Sequence, residues 1–98
     1  MNFEWDENKN KANIIKHGIS FEDAKLIFND TVLTQIDTRF NYQEIRKISI
    51  GNIDGTIITT VVHTPRNSNI RIISARIADK KERKAYNNFL KGEKNETQ

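Results

Sequence analysis

The stretch from Ile70 to Tyr86 reads I-R-I-I-S-A-R-I-A-D-K-K-E-R-K-A-Y and does most to decide the fold. Its first half has the β-branched composition of a strand, and Asp79 followed three residues later by Glu82 is the capping pattern of a helix start. Cationic side chains gather around this junction: Arg66, Arg71, Arg76, Lys80, Lys81, Arg83 and Lys84. So much positive charge beside one apolar strand indicates that something anionic binds there.

Two helices are predicted upstream of this stretch. Asp6 is suited to be the N-cap of a first helix from Glu7 to His17, and Gly18 follows where a left-handed C-terminal glycine is expected. Ser20 then begins a second helix, whose apolar side chains extend to Phe28.

From Thr31 onward the pattern changes to alternating, β-branched residues, which predicts strands. Four are expected: Val32–Asp37, Glu44–Gly51, Thr56–His63 and Ile70–Ile77. Polar segments separate them, as a loop at 38–43, a tight hairpin turn at 52–55 and a longer hairpin loop at 64–69. Because the last links are short, the strands should form an antiparallel meander.

The predicted fold class is therefore α+β, with two N-terminal helices, a four-stranded antiparallel sheet and a C-terminal helix. We expect the helices on one face of the sheet and the other face partly open. The 98 residues suit a single domain, assigned to residues 1–92, with a flexible tail at 93–98.

Composition narrows the function. The chain lacks cysteine and has two histidines far apart in sequence, so we expect no disulfide, metal or cofactor. No apolar run reaches the roughly 18–20 residues of a membrane span, which favours a cytoplasmic protein. The net charge is −1 over residues 1–50 and +4 over residues 51–98. A phosphate-rich partner fits the basic second half, as does an acidic protein segment.

Arginine is the most informative residue type in the last strand. An arginine in an apolar strand must reach solvent, a carboxylate or a bound anion. Alternation predicts Ile72, Ser74 and Arg76 on one face, and Arg71 with Ala75 on the other. Arg76 lies nearest the helix start at Asp79, whereas Arg66 lies at the opposite end of the strand. If both contact one RNA, they should bind different phosphates along it.

If the phosphate-rich partner is RNA, those residue types suit its cleavage without a metal. The 2′-hydroxyl attacks the adjacent phosphate, and a guanidinium can stabilise the charge that develops. Histidine is the obvious acid or base, and a lysine or tyrosine among arginines is an alternative because nearby positive charge lowers its pKa. His63 at a strand end is more simply a structural residue.

Five short motifs in register resemble the BrnT family of toxins. They are F-E-W-D-E-N-K at 3–9, K-H-G at 16–18, F-E-D-A at 21–24, V-V-H-T-P-R at 61–66 and the 70–86 stretch. The resemblance implies a RelE-like fold and an endoribonuclease that blocks translation. It also implies mRNA as substrate, free or on the ribosome, and inactivation by a BrnA-type antitoxin, with promoter DNA bound only through the antitoxin complex and no membrane partner.

The resemblance also implies that the end of the first helix brings Lys16 and His17 to the substrate. With Arg66 and Arg76 they form the predicted catalytic set. The alternatives are a helix-dipole role for Lys16 and His17 and a structural carboxylate partner for Arg76. The predicted RNA-binding residues are Arg71, Lys80, Lys81, Arg83, Lys84 and Tyr86. For the cationic run of Lys80, Lys81, Arg83 and Lys84 the alternative is a solvated helix face. Tyr86 either stacks on a base or packs in the core.

Two other functions compete with a ribonuclease. The first is a non-catalytic nucleic-acid- or protein-binding module on the same fold, because no residue is an unmistakable general base. The second is a DNA-binding protein, which is less favoured because the predicted second helix carries Lys25 against Glu22 and Asp23 and so lacks a basic recognition surface.

Overall fold

The computed structural model describes residues 1–39 and 43–96, with side chains to residue 92. It is an α+β fold whose three α-helices are α1 (Glu7–His17), α2 (Phe21–Ala24) and α3 (Lys80–Glu96). The strands are β1 (Phe3–Glu4), β2 (Leu33–Ile36), β3 (Lys47–Ile53), β4 (Ile57–Arg66) and β5 (Asn69–Ile77). The predicted loop at 38–43 falls partly outside the described residues.

Helix α1 has the predicted bounds. The Asp6 side chain accepts hydrogen bonds from the backbone N–H groups of Asn8 and Lys9, and Gly18 has a φ of 75°, so both predicted caps are confirmed. The second helix begins after Ser20 as predicted, but α2 ends at Ala24 and the chain continues as a 3-10 helix from Lys25 to Asn29. This tighter winding lets Ile27 reach the core, where it is fully buried.

The sheet has five strands in the order β1-β5-β4-β3-β2, so the prediction of four was wrong by one. The additional strand, β1, has two residues and pairs in parallel with the start of β5, whereas the other pairs are antiparallel. Two residues carry no periodic signal that a sequence pattern could reveal. The remaining strands form the predicted meander.

The second hairpin is longer in strand and shorter in loop than predicted. Strand β4 continues through Pro65 to Arg66, and Asn67 and Ser68 make a two-residue turn with positive φ values of 51° and 69°. Such a turn matches the twist of the strands on either side of it. The expected loop at 64–69 is therefore mostly strand.

A β-bulge between Val62 and His63 changes which side chains of β5 share a face. Ile72 and Ala75 are both buried in the same core, although strict alternation would put them on opposite faces. The prediction that Ile72 shares a face with Ser74 and Arg76 was therefore wrong, because a bulge adds one residue to the count along the strand.

Helices cover both faces of the sheet, which corrects the expectation of one covered face. Helix α2 and the 3-10 helix pack on the core that contains Val61 and Ile72. Helix α3 packs on the opposite face, where Tyr86 and Ala78 contact Ile50. This second layer covers part of its face and leaves the rest as a groove.

The described part of α3 extends to Glu96, beyond Gly92. The division into a domain at 1–92 and a tail at 93–98 stays a prediction, and its last two residues lie outside the described residues.

Candidate active site

The groove lies on the α3 face of the sheet and has a volume of about 640 Å³. Its floor comes from β2 to β5, one wall from the start of α3 and the other from the end of α1. Its polar and charged lining residues are Lys16, His17, Gln35, Arg39, Thr60, Ser74, Arg76, Lys81 and Glu82. Four of these are cations of Lys or Arg, and Glu82 is the one carboxylate among the described lining residues. The groove is therefore suited to a polyanion.

The C-terminus of α1 reaches the groove because Asn13 joins it to β5. The Asn13 amide donates to the carbonyl oxygen of Ala75 at 2.8 Å and accepts from the N–H of Ala75 at 3.1 Å. It also donates to the carbonyl oxygen of Ile19 at 2.9 Å. A side chain thus completes hydrogen bonds at the edge of β5 that a neighbouring strand would otherwise make. Lys16 and His17, about one turn later, then line the groove.

Arg76 forms a two-point ion pair with Glu82. Its Nη1 and Nη2 atoms donate to the two carboxylate oxygens at 2.7 and 2.8 Å. Burial by itself would raise the pKa of Glu82, but the hydrogen bonds from Arg76 and from the backbone N–H of Asp79 outweigh burial and lower it. The hydrogen bonds from Arg76 to Glu82 also raise the pKa of Arg76. The sequence left open whether Arg76 pairs with a carboxylate. In the structure it pairs with Glu82, which lines the groove.

Glu82 also belongs to the start of α3. Its carboxylate accepts from the Asp79 N–H at 2.9 Å, and the Asp79 carboxylate accepts from the Glu82 N–H at 2.8 Å. This is the capping box predicted from the spacing of the two acidic residues. One carboxylate therefore fixes both the helix start and the guanidinium of Arg76.

Arg39 is a groove residue that the sequence analysis missed. Its Nε and Nη2 atoms donate to the Asp37 carboxylate at 2.9 and 3.1 Å, and the Asp37 side chain is fully buried. Arg39 and Arg76 both line the groove, and the positive charge of Arg39 acts against the raised pKa of Arg76. The sequence signal that could have revealed Arg39 is its position two residues after Asp37, at the end of a predicted strand.

The groove also has polar groups that no motif revealed. Thr60 and Arg76 are paired in the β4–β5 register, as are Val62 and Ser74. Thr60 and Ser74 therefore bring two hydroxyl groups to the floor beside Arg76, in addition to the charged and histidine side chains predicted from the sequence. Gln35 enters from the neighbouring strand β2.

Two predicted arginines lie at the other end of β5. Arg66 ends β4 beside the turn, and Arg71 donates to the Glu4 carboxylate at 2.8 Å. Neither lines the groove. Arg76 is separated from both by most of the length of β5, as the sequence position of Arg66 had indicated. Arg66 therefore lies apart from Lys16, His17 and Arg76, with which it was predicted to form the catalytic set, and for it we propose a contact to RNA outside the groove. The RNA-binding role of Arg71 stays a prediction for a contact of the same kind.

The cationic run at the start of α3 lies partly inside and partly outside the groove. Lys81 lines the groove, whereas Lys80, Arg83 and Lys84 are exposed outside it. Arg83 also donates to the Ala78 carbonyl oxygen at 2.8 Å. An RNA longer than the groove would pass over this helix start, so contact with these three stays a prediction.

Tyr86 is a core residue, which corrects its assignment to RNA binding. Its side chain packs with Ile50 and Ala78, its hydroxyl donates to the Thr31 carbonyl oxygen at 2.8 Å, and the residue is 2% exposed. Its ring is not accessible to a base. The predicted stacking role was wrong because this side of α3 packs against the sheet.

His63 is a buried structural residue, as the simpler interpretation held. Its Nε2 atom hydrogen-bonds to the Ser49 hydroxyl at 2.7 Å, and its ring lies edge-on to Phe28 with centroids 5.1 Å apart. Burial, with a smaller contribution from the charge of Lys47, lowers the pKa of His63 to about 4. It is therefore neutral near pH 7. It also does not line the groove.

Two other features are absent from residues 1–39 and 43–96. None of the helices there has the length and apolar character that a membrane-spanning helix needs. No group of three or more His, Cys, Asp or Glu side chains there is arranged to hold a metal ion.

Comparisons with known proteins agree with the motifs. Residues 5–82 match the family described as "Ribonuclease toxin, BrnT, of type II toxin-antitoxin system". The structure is similar to the crystal structure of the Brucella abortus ribonuclease toxin BrnT, with 31% sequence identity and a TM-score of 0.61. The match covers 82% of this chain and 99% of that one. No curated protein matches the sequence. Because the family match covers most of the chain, this protein belongs to the BrnT family of ribonuclease toxins of type II toxin–antitoxin systems.

Proposed function

We propose that this chain is a metal-independent endoribonuclease that cuts mRNA in the groove and so blocks translation, inside the cytoplasm of a bacterium. The observation that carries the proposal is the convergence of Lys16, His17 and Arg76 from two distant parts of the chain onto one groove. The family relationship supplies the substrate class.

The groove residues divide the chemistry between them. Arg76 stabilises the extra negative charge as the 2′-hydroxyl attacks the phosphate, because a guanidinium presents several donors to the phosphate oxygens. His17 transfers a proton to or from the reacting oxygens, because an imidazole has ring nitrogens that can donate or accept a proton. Lys16 and Lys81 hold the flanking phosphates as point charges. The products are a 2′,3′-cyclic phosphate and a free 5′-hydroxyl.

A toxin of this kind needs a means of inactivation, and we propose occlusion of the groove. An acidic or amphipathic segment of a BrnA-type antitoxin would meet the same four cations and exclude RNA. Repression of transcription is then a property of the toxin–antitoxin complex, in which the antitoxin contacts the promoter DNA. Growth arrest on expression, relieved when the cognate antitoxin is co-expressed, is the expected phenotype.

The test is cleavage of a short RNA by purified, antitoxin-free protein in the presence of EDTA. We expect a 2′,3′-cyclic phosphate product, and no cleavage when the attacking sugar is 2′-deoxy. Arg76→Ala and His17→Gln should abolish cleavage, whereas Arg66→Ala, which changes a residue outside the groove, should retain it on an RNA short enough to fit. Cleavage dependent on a divalent ion, or equal in Arg76→Ala, would contradict the proposal.

Absence of cleavage with retained RNA binding calls for the same assay with ribosomes and mRNA. Cleavage that appears there assigns a ribosome-dependent nuclease. Binding without cleavage in both assays would instead support the non-catalytic module.

A further inference from the structure

The ion pair between Arg76 and Glu82 leaves one edge of the guanidinium unused. A guanidinium has five N–H bonds. Both Nη atoms donate to Glu82, and Nη1 makes a longer bond of 3.5 Å to the Ile77 carbonyl oxygen. Among the described residues nothing accepts from Nε. Glu82 therefore binds the end of the guanidinium that Nη1 and Nη2 form together. The side edge, formed by Nε–H and the second N–H of Nη2, is available for a ligand.

The Thr60 hydroxyl lies beside this pair without a regular hydrogen bond. Thr60 is opposite Arg76 in the strand register, lines the groove and is 2% exposed. Within the described part of the chain its Oγ1 has no hydrogen-bond partner. It is still near enough to the Glu82 carboxylate to help lower the pKa of that group. A buried hydroxyl without a partner is unfavourable unless something else supplies one.

A phosphate would satisfy both groups. A phosphate has the paired oxygens that match two parallel N–H donors, and a further oxygen can accept from a hydroxyl. Opposite residues on neighbouring antiparallel strands have Cβ atoms roughly 5 Å apart, which suits two side chains that share one small anion.

We infer that Glu82 is a positioning residue for Arg76, and that the free edge of Arg76 and the Thr60 hydroxyl together form a subsite for one RNA phosphate. The inference rests on the proposed function for the identity of the anion. Glu82 does not touch the substrate. It fixes the guanidinium plane before RNA binds, so less side-chain freedom is lost on binding and the donors already point at the phosphate.

Glu82→Gln separates this role from helix capping. Glutamine at this position of a capping box still accepts from the backbone N–H of Asp79, but it cannot make two ion-pair bonds to Arg76. The matched control is Asp79→Asn, which removes one negative charge from the same turn, keeps an N-cap residue and leaves the fork intact.

We expect Glu82→Gln to lower the rate of single-turnover RNA cleavage about 10- to 100-fold, as misplaced donors commonly do. Asp79→Asn should stay within about twofold of the unchanged protein, and both variants should unfold at similar temperatures. Equal rates for the two variants would overturn the positioning role. Tighter RNA binding by Glu82→Gln would also overturn it, because Glu82 would then be competing with the phosphate.

Thr60→Val tests the second donor. We expect about a tenfold loss in cleavage and binding, the effect of one hydrogen bond to an anionic oxygen. Stability should be unchanged or higher, since the substitution removes a buried hydroxyl that has no partner. Thr59→Val, on the neighbouring position of β4, is the matched control and should retain cleavage. Full activity of Thr60→Val would overturn the role of the hydroxyl.

Binding of an uncleavable strand keeps this test separate from the proposed function. The probe is a single-stranded oligonucleotide with 2′-deoxy sugars throughout, titrated while the NMR signal of the Arg76 Nε–H is followed. We expect that signal to shift in the unchanged protein and to shift less in Thr60→Val. An unshifted signal overturns the subsite even if the protein cleaves RNA. A shifted signal in a protein that never cleaves RNA supports the subsite and refutes the nuclease.

Discussion

At the scale of single residues, Glu82 and Thr60 show how the groove combines structure with function. The Glu82 carboxylate accepts from the Asp79 N–H through Oε1 and from Arg76 through both Oε1 and Oε2, so one side chain caps α3 and holds the guanidinium. Asp79–Glu82 spacing was enough to predict the cap, because a capping box is local in sequence. The contact with Arg76 depends on how the chain turns between β5 and α3, so no spacing rule could supply it.

His63 makes stability depend on pH. Its pKa is about 4 in the folded protein against 6.5 ordinarily, so the unfolded chain binds the proton first as pH falls. This contribution is complete above pH 6.5 and is lost progressively between 6.5 and 4. The loss should reach about 2 kcal/mol at pH 5. Denaturant unfolding at pH 7 and pH 5 measures it.

Substitution of each histidine in turn tests whether His63 is the cause. His63→Gln should remove most of the difference between pH 7 and pH 5, whereas His17→Gln, in the half-buried groove position, should retain it. A steep pH dependence in His63→Gln would show that other groups cause it.

Gly51 is needed because the 3-10 helix lies directly against it. A Cβ there would come within 2.7 Å of the Ile27 Cβ and 3.0 Å of the Val32 Cγ1. Gly51→Ala should therefore lower the free energy of unfolding by about 1–3 kcal/mol, since a packed core has no space for the added carbon.

Gly92 is the comparison for that substitution, because nothing lies within 4 Å of a Cβ built on it. In the interior of α3, Gly92→Ala should stabilise the protein by about 0.5–1 kcal/mol. Thermal unfolding of the two variants should move in opposite directions, and a stable Gly51→Ala protein would contradict the close contact.

At the scale of elements, the joint between α1 and β5 assembles the groove. Asn13 makes three hydrogen bonds to backbone groups and is 7% exposed. Two of these bonds join α1 to Ala75 in β5, the strand that carries Arg76. The position of Lys16 and His17 therefore depends on a residue that does not itself line the groove.

Asn13→Ala should lower the free energy of unfolding by about 2 kcal/mol, because it leaves buried backbone groups of Ala75 and Ile19 without partners. It should also reduce RNA cleavage, as Lys16 and His17 lose their fixed position. Asn8→Ala is the control on the exposed side of α1 and should change either quantity little. Normal cleavage by a destabilised but folded Asn13→Ala protein would show that the joint does not position the groove.

At the scale of the whole molecule, charge is concentrated where the sheet is left uncovered. Helix α3 covers one end of its sheet face, and the remaining groove collects Lys16, Arg39, Arg76 and Lys81. A net charge of +3 is modest for a protein that binds RNA. The distribution of that charge, more than its total, should determine the affinity.

Lys81→Ala should weaken RNA binding and reduce the dependence of log Kd on log salt by about 0.7, the value for one phosphate contact on a single strand. Lys91→Ala removes the same charge farther along α3, at an exposed position outside the groove, and should leave the slope nearly unchanged. Titrations of uncleavable oligonucleotide at several salt concentrations measure the slopes. Equal slopes for the two variants would mean that RNA does not enter the groove.

The sequence by itself determined the local parts of this protein. The caps of α1, the start of α2, the capping box of α3 and the four longer strands follow from residue spacing, because each depends on neighbours a few positions away. The five motifs were also enough to identify the family, and the basic character of the second half indicated an anionic partner.

Only the tertiary structure decided which residues share the groove. The bulge at Val62 sets which side chains of β5 face it, and α3 buries Tyr86 while leaving Lys81 at the groove wall. Asn13 brings in His17, and the sheet register puts Thr60 beside Arg76. These are contacts between residues far apart in the chain. Side-chain packing and strand register fix them, and neither is encoded in the spacing of a motif.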